Sequence, residues 1–286
     1  MKKNNWLFYA AVTTISWGVW GALIELPEKS GFPATLGYVV WSLTMVPCAL
    51  SALWISRVKL ARDGRSVFYG LIVGLFGAGG QLLLFEALRE GPAYIVFPIV
   101  SLFPILTVVL SMLFLRERGS VRQWAGIGVS LAAIFLLSYQ PATGGRVRSI
   151  VWLLLAILVF ILWGAQAFIM KFATQRMNEE SIFFYMMAGA LLLTPVALYM
   201  TSFSGAINVG FRGPWLAAMI HVLNSIGALT LVYALRYGKA IVVVPMTGLS
   251  PLITVGISLI LYAVIPGPIL LTGVGLAMAG IYLLSE

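Results

Sequence analysis

The chain has 286 residues, of which 61% are apolar or aromatic and 9% are charged, against roughly 25% charged in a soluble domain. With a mean hydropathy of +1.01, this excludes a soluble enzyme, a disordered chain and a collagen-like repeat; Cys48, the single cysteine, excludes a disulfide scaffold. The net charge of +9 lies in short gaps between apolar runs, the pattern that orients membrane helices, and no basic face exists for nucleic acid.

A helix needs roughly 20 apolar residues to cross the hydrocarbon. Ten runs meet that length: 5–25, 33–54, 67–88, 93–115, 121–138, 149–171, 179–200, 213–235, 240–262 and 267–284. Strand-period alternation is absent, which excludes a β-barrel. The predicted fold is therefore all-α and polytopic, with ten spans. With a cytoplasmic N-terminus, thirteen Lys and Arg fall inside and five outside, so both termini are expected in the cytoplasm; Arg146 and Arg148 are the dissenting charges. The first span follows two lysines in the manner of a signal peptide, but it is long and lacks a small-x-small cleavage site, so it is expected to be retained.

Residues 85–138 align without a gap to 232–285, at an offset of 147, with about a third of positions identical. Phe85-Glu-Ala-Leu-Arg-Glu-Gly-Pro-Ala93 faces Val232-Tyr-Ala-Leu-Arg-Tyr-Gly-Lys-Ala240. Pro98 and Pro104 face Pro245 and Pro251, and Gly126 and Gly128 face Gly273 and Gly275. Trp17-Gly18 faintly matches Trp163-Gly164, and Pro47 matches Pro195. The predicted organisation is one five-helix repeat over 1–140, a linker over 141–148 and a second repeat over 149–286. Five is odd, so the second repeat inserts upside down; inverted repeats of this kind can open to either side of a membrane in turn.

These features resemble the drug/metabolite transporter superfamily, in its EamA-type branch with two five-helix units. The resemblance rests on Trp17-Gly18, Ala87-Leu88, the proline-rich fourth span, Leu115-Arg-Glu117-Arg at its end, and Gln123-Trp124-x-Gly126-x-Gly128 opening the fifth. It covers nearly the whole chain. The second copy departs from it, with Tyr262-Ala-Val-Ile-Pro where the acidic element stands in the first. The resemblance implies a ten-helix carrier with a central cavity lined by spans one, three, four, six, eight and nine, and with spans five and ten peripheral. Many bacterial members export amino acids or other small metabolites; others import sugars.

Several residues are candidates for transport. Each proline lacks an N–H and clashes with the carbonyl four residues back, so Pro98, Pro104, Pro245 and Pro251 are expected to act as hinges and to free the carbonyls of Tyr94, Val100, Ile241 and Thr247; simple kinks are the alternative. Gly70, Gly74 and Gly77 form a helix-packing face, with Gln81 one turn on, and Gly126/Gly128 and Gly273/Gly275 are expected to pack as well. His221 and Asn224 share one face of span eight, and polar groups at such depth tend to be functional; a histidine hydrogen-bonded to a neighbouring helix is the alternative. Trp17, Trp163 and Gln166 lie near mid-depth, where the tryptophans form aromatic walls or packing. Tyr233 stands at the repeat position of Glu86. Substrate binding is thus assigned to Trp17, Gln81, Trp163, Gln166, His221, Asn224 and Tyr233, and proton coupling to Glu86 or His221. For Glu86 the alternative is an interfacial ion pair with Arg89.

The absences narrow the chemistry. No Lys or Arg lies in the middle of a span, which disfavours a phosphorylated cargo. No metal-ligand spacing, Walker loop or hydrolytic dyad is present, so no metal, cofactor or enzyme activity is expected. The expected function is secondary-active transport, in the export direction and by alternating access, of a small neutral, zwitterionic or amphipathic metabolite, amino-acid-like or drug-like. Uptake of a sugar or other metabolite, or a membrane-embedded lipid-handling enzyme, are the alternatives. The expected partners are a small-molecule substrate and the lipid bilayer, without nucleic acid, as a monomer or homodimer in a bacterial inner membrane.

Overall fold

The computed structural model describes residues 5–91, 93–139, 150–262 and 267–285; the 141–148 linker, with Arg146 and Arg148, lies outside the described residues. Ten apolar helical spans cross the molecule: Asn5–Lys29, Ala34–Ser56, Gly64–Glu90, Ile95–Phe114, Val121–Ser138, Val151–Ala173, Glu179–Met200, Phe211–Tyr237, Ala240–Ile257 and Pro268–Ser285. They are numbered one to ten below. Each predicted run is found, with ends shifted by a few residues. The ends are set by local chemistry. Asp63 and Asn178 accept the N–H groups of Ser66 (3.0 Å) and Ser181 (2.8 Å) at the starts of spans three and seven. Ser120 and Gln123 exchange side-chain and backbone bonds in a capping box before span five.

Spans four and nine are broken helices. In span four, the helix Ala93–Ser101 gives way at Leu102 to Phe103–Phe114; in span nine, Ala240–Thr247 gives way to Pro251–Tyr262. The breaks fall before Pro104 and Pro251, while Pro98 and Pro245 stay inside the preceding helices. One expectation is corrected. The Thr247 carbonyl is not free, because the chain tightens at the break and the Ser250 N–H reaches it at 3.2 Å.

The two halves are related by an inverted two-fold, visible in matched contacts. Span three ends where the Gly91 N–H donates to the Ala87 carbonyl (2.9 Å), and span eight ends where the Gly238 N–H donates to the Ala234 carbonyl (2.8 Å), at the opposite end of the molecule. Trp152 covers Gly91 and Trp6 covers Gly238. The halves interdigitate: span one packs on spans eight and nine, span six on spans three and four, and span five on span ten.

Glycines set the closest approaches. A Cβ on Gly18 would lie 2.3 Å from the Cβ of Ile253, and one on Gly164 would lie 2.7 Å from the Cβ of Leu106. In the same two seams the Thr254 and Thr107 hydroxyls each donate, at 2.9 Å, to the Gly18 and Gly164 carbonyls. Gly126 meets Leu283 and Leu284 of span ten, and Gly273 meets Leu136 and Leu137 of span five. Gly128 and Gly275, also expected to pack, have nothing within 4 Å. Two residues along a helix is more than half a turn, so they point away from the seam.

Candidate functional site

The midpoints of spans one, three, six and eight fall close to Trp17, Gly77, Trp163 and Asn224, and the structure joins them in two equivalent pairs. The Trp17 indole N–H donates to the Asn224 carbonyl at 3.2 Å, and the Trp163 indole N–H donates to the Gly77 carbonyl at 3.2 Å. Gly227 and Gly80, one turn further along, leave room for the two rings; a Cβ on either would come within 2.4 Å of indole atoms. The tryptophans therefore clamp the two halves together at mid-depth, each reaching from one half into the other.

Around span eight this clamp grows into a polar cluster. The Trp20 indole N–H donates to His221 Nδ1 at 3.2 Å, and the Trp41 indole N–H donates to Asn224 Oδ1 at 2.9 Å. His221 is 5% exposed, and its Nε2 has no partner among the described residues. That atom faces the backbone of span two, where a Cβ on Gly37 would stand 3.8 Å away. Spans one, two and eight thus bring Trp17, Trp20, Trp41, His221 and Asn224 together. Trp20 and Trp41 were not foreseen. Trp20 lies three residues after Trp17 and so shares its face, a usable signal; nothing local marks Trp41.

On the span-six side, the Gln166 amide lies against Gly77, with Nε2 2.2 Å from where a Cβ would be. Gln81, four residues beyond Gly77, is half-buried. Gly70 and Gly74 face span seven instead: a Cβ on Gly74 would lie 2.6 Å from the Tyr185 carbonyl oxygen and 3.1 Å from the Gly189 Cα.

Tyr233 and Glu86 are not part of this cluster. Tyr233 lies nine residues beyond Asn224, about 13 Å along the helix. Its hydroxyl donates to Glu180, and its ring stacks on Tyr9 with centroids 4.9 Å apart. Glu86 pairs with Arg89 at 2.5 Å, with 28% of its side chain exposed. Pro104 and Pro251 bound the seams where Phe103 and Ser250 turn their carbonyls toward Gly164 and Gly18.

A second polar region surrounds Glu117 of the Leu115-Arg-Glu117-Arg element, whose partners the sequence does not indicate. At the end that bears Asn5 and Ser285, Glu117 accepts the Ile241 N–H at 3.1 Å through Oε2, and its Oε1 lies 3.9 Å from Lys171 Nζ. Lys171 also donates to the Leu235 and Gly238 carbonyls, each at 2.7 Å. The pair therefore joins the carbonyl end of span eight to the N–H end of span nine, satisfying both helix termini with charges of the matching sign. Buried Glu179 accepts Arg236 Nε at 3.0 Å beside them. Among the described residues no group of three metal-ligating side chains occurs.

Comparison with known proteins agrees with this architecture. The model of the EamA-like transporter family matches residues 4–139 and again 150–286. An uncharacterized transporter of Archaeoglobus fulgidus is 25% identical over 139 residues, covering 49% of each chain. An uncharacterized protein of Methanocaldococcus jannaschii is 41% identical over 76 residues, 27% of this chain and 56% of that one. A probable 4-amino-4-deoxy-L-arabinose-phosphoundecaprenol flippase subunit, ArnE, of Hamiltonella defensa is 34% identical over 71 residues, 25% of this chain and 63% of its own. The chain thus spans between about half and three-fifths of these curated relatives. One solved crystal structure superposes with a TM-score of 0.81 over 98% of this chain and 96% of its own, at 18% identity, a likeness of fold.

Proposed function

The chain belongs to the EamA-like transporter family, and on that premise we propose that it is a secondary carrier moving a small neutral, zwitterionic or amphipathic metabolite by alternating access. The observation that carries this reading is the crossed tryptophan clamp at mid-depth, Trp17 to Asn224 and Trp163 to Gly77. Inverted repeats that meet at the midplane can rock about their junction and present it to each side in turn. The broken spans four and nine abut Gly164 and Gly18 in the same junction, which makes Pro104 and Pro251 the proposed main hinges, with Pro98 and Pro245, inside the preceding helices, as secondary hinge points. Substrate contacts fall to His221, Asn224, Gln81, Gln166 and the flanking tryptophans. Tyr233, stacked and bonded elsewhere, acts in this reading on the path between the site and the end bearing Asn5. That end faces the cytoplasm by its excess of Lys and Arg, and export is the proposed direction.

Purified protein in liposomes, given a panel of amino acids, small amphipathic acids and amines, should move at least one of them across the bilayer. Asn224→Ala and Gln81→Ala should each slow that flux about tenfold, the effect of one lost hydrogen bond to the solute, with the fold intact. No flux of any solute across the panel would sink the carrier reading, whether or not a solute raises the melting temperature. Glu86→Gln should alter the pH profile if Glu86 carries the coupling proton; an unchanged profile assigns it to its ion pair with Arg89 alone.

A lipid-linked cargo is a second reading, favoured by the likeness to the ArnE flippase subunit. It predicts that a fluorescent lipid analogue changes leaflet in the same liposomes while the soluble panel does not move.

A further inference from the structure

The polar centre of the bundle is one-sided in its hydrogen bonding. Tryptophan can only donate, and four indole N–H groups take four acceptors: Trp17 the Asn224 carbonyl, Trp163 the Gly77 carbonyl, Trp41 the Asn224 Oδ1 and Trp20 the His221 Nδ1. A histidine nitrogen that accepts a hydrogen bond carries no proton, so in neutral His221 the proton resides on Nε2. That N–H is buried and has no partner among the described residues. Gly37 puts no side chain in front of it. Asn224, with one lone pair of Oδ1 already engaged by Trp41, presents its NH2 group without a partner among the described residues. On span eight, then, each of these acceptors already receives an indole N–H, while the His221 Nε2–H and the Asn224 NH2 have no partner among the described residues.

Resting on the carrier reading, we propose that the span-eight side of the site recognises an oxygen acceptor, the carboxylate or carbonyl of a solute with an apolar or aromatic body, and that a cationic head is not bound there. An oxygen with free lone pairs satisfies both the His221 Nε2–H and the Asn224 NH2, and a buried donor left unsatisfied is costly. An ammonium group has only N–H bonds to present and would meet donors with donors. Tryptophan rings at 17, 20 and 41 supply an apolar wall for the body of the ligand. Gln81 and Gln166, which carry both donors and acceptors, stand on the span-three and span-six side and take the remaining polar groups of a zwitterion.

His221 is the single histidine of the chain, so protein labelled with 15N-histidine reports this one ring. Without ligand, the spectrum should show a protonated Nε2 and an unprotonated Nδ1, and Trp20→Phe should relax that preference. 3-Phenylpropanoate and 3-phenylpropanamide, which separate carboxylate from carbonyl, should shift the Nε2 signal; 3-phenylpropylamine should not. His221→Phe should weaken binding of the oxygen probes roughly tenfold, while His221→Gln, which keeps an N–H donor, retains most of it. A ring protonated on Nδ1, a shift by the amine equal to that by the acid and amide, or no shift by any probe overturns the proposal. Oxygen probes that bind while nothing crosses the bilayer leave the proposal standing and remove the carrier reading. Flux confined to amines, with no oxygen probe bound, does the reverse.

Discussion

Span three and span eight are copies of one helix, and they have been put to opposite uses. Gly74 and Gly77 on span three correspond, at the repeat offset of 147, to His221 and Asn224 on span eight. Their neighbours differ in the same way. At the offset of 148 that pairs Pro47 with Pro195, Gly189 of span seven corresponds to Trp41 of span two. In the first copy the glycines let two backbones touch, with a Cβ on Gly189 placed 2.8 Å from the Gly74 Cα. In the second, a large polar residue faces a large aromatic one, and a hydrogen bond replaces the backbone contact. Two helices cannot both close to backbone distance and carry side chains between them. The divergence at these positions therefore turned one of two equivalent seams into a polar site and left the other as the packing on which the frame rests, since helices in lipid associate largely through such packing.

The comparison can be broken by exchanging the two characters. Gly74→Leu drives a side chain into the backbone of span seven and should cost about 3 kcal/mol or more. It should be seen as loss of monodisperse protein and a lower melting temperature in detergent. His221→Gly, the reverse change at the matching position, puts a glycine in mid-helix and strands the Trp20 indole N–H, and should cost about 2 kcal/mol, less than the clash. Equal losses would show that the two seams bear the same load.

The next largest effect belongs to the tie between Glu117 and span nine. Glu117→Ala strands the Ile241 N–H and removes the partner of Lys171, at a cost of about 1–3 kcal/mol. Chemical denaturation with a restored carboxylate (Glu117→Asp) as control measures it; the value should fall toward zero if water already serves those groups.

Smaller still are the two clamps. Trp17→Phe and Trp163→Phe each delete one N–H···O bond and should each cost about 0.5–1.5 kcal/mol. Similar values for the pair fit a shared structural role. A much larger loss of flux in Trp17→Phe than in Trp163→Phe would sharpen the distinction between the seams, because only Trp17 borders the His221 cluster.

The smallest effect is at the helix starts. Asp63 caps span three, whereas Gly210, its repeat equivalent, gives span eight no side-chain cap. The bond from Ser66 holds the Asp63 carboxyl below its ordinary value of 3.8. A group with a depressed folded pKa contributes its stability above the unfolded value, and loses it as the pH falls through the folded one. Acidification below about 4 should therefore fray the start of span three but not of span eight. Hydrogen exchange at Ser66 and Val67 reads this, and Asp63→Asn should remove the acid sensitivity while keeping the cap.

Much of the fold was legible in one dimension. Hydropathy located all ten spans, and the matched prolines located the two broken helices. The repeat register required an upside-down second half. The candidate site was partly legible: His221, Asn224, Gln81, Gln166 and the tryptophans at 17 and 163 stood out as polar or aromatic groups at depth. Their grouping was not. Tyr233 and Glu86 qualified by the same criteria, yet Tyr233 bonds to Glu180 and Glu86 to Arg89, away from the cluster. Gly128 matched Gly275 as well as Gly126 matched Gly273, yet only the latter two meet a neighbour.

The sequence by itself determined how many times the chain crosses the membrane, where its helices break and that its halves are inverted copies, because hydropathy, proline chemistry and repeat register are local properties of a chain. Tertiary structure alone decided which acceptor each tryptophan reaches and which nitrogen of His221 is left to donate. Those bonds join residues as far apart as Trp17 and Asn224, 207 positions along the chain, and they exist only because helices from opposite halves cross at one depth.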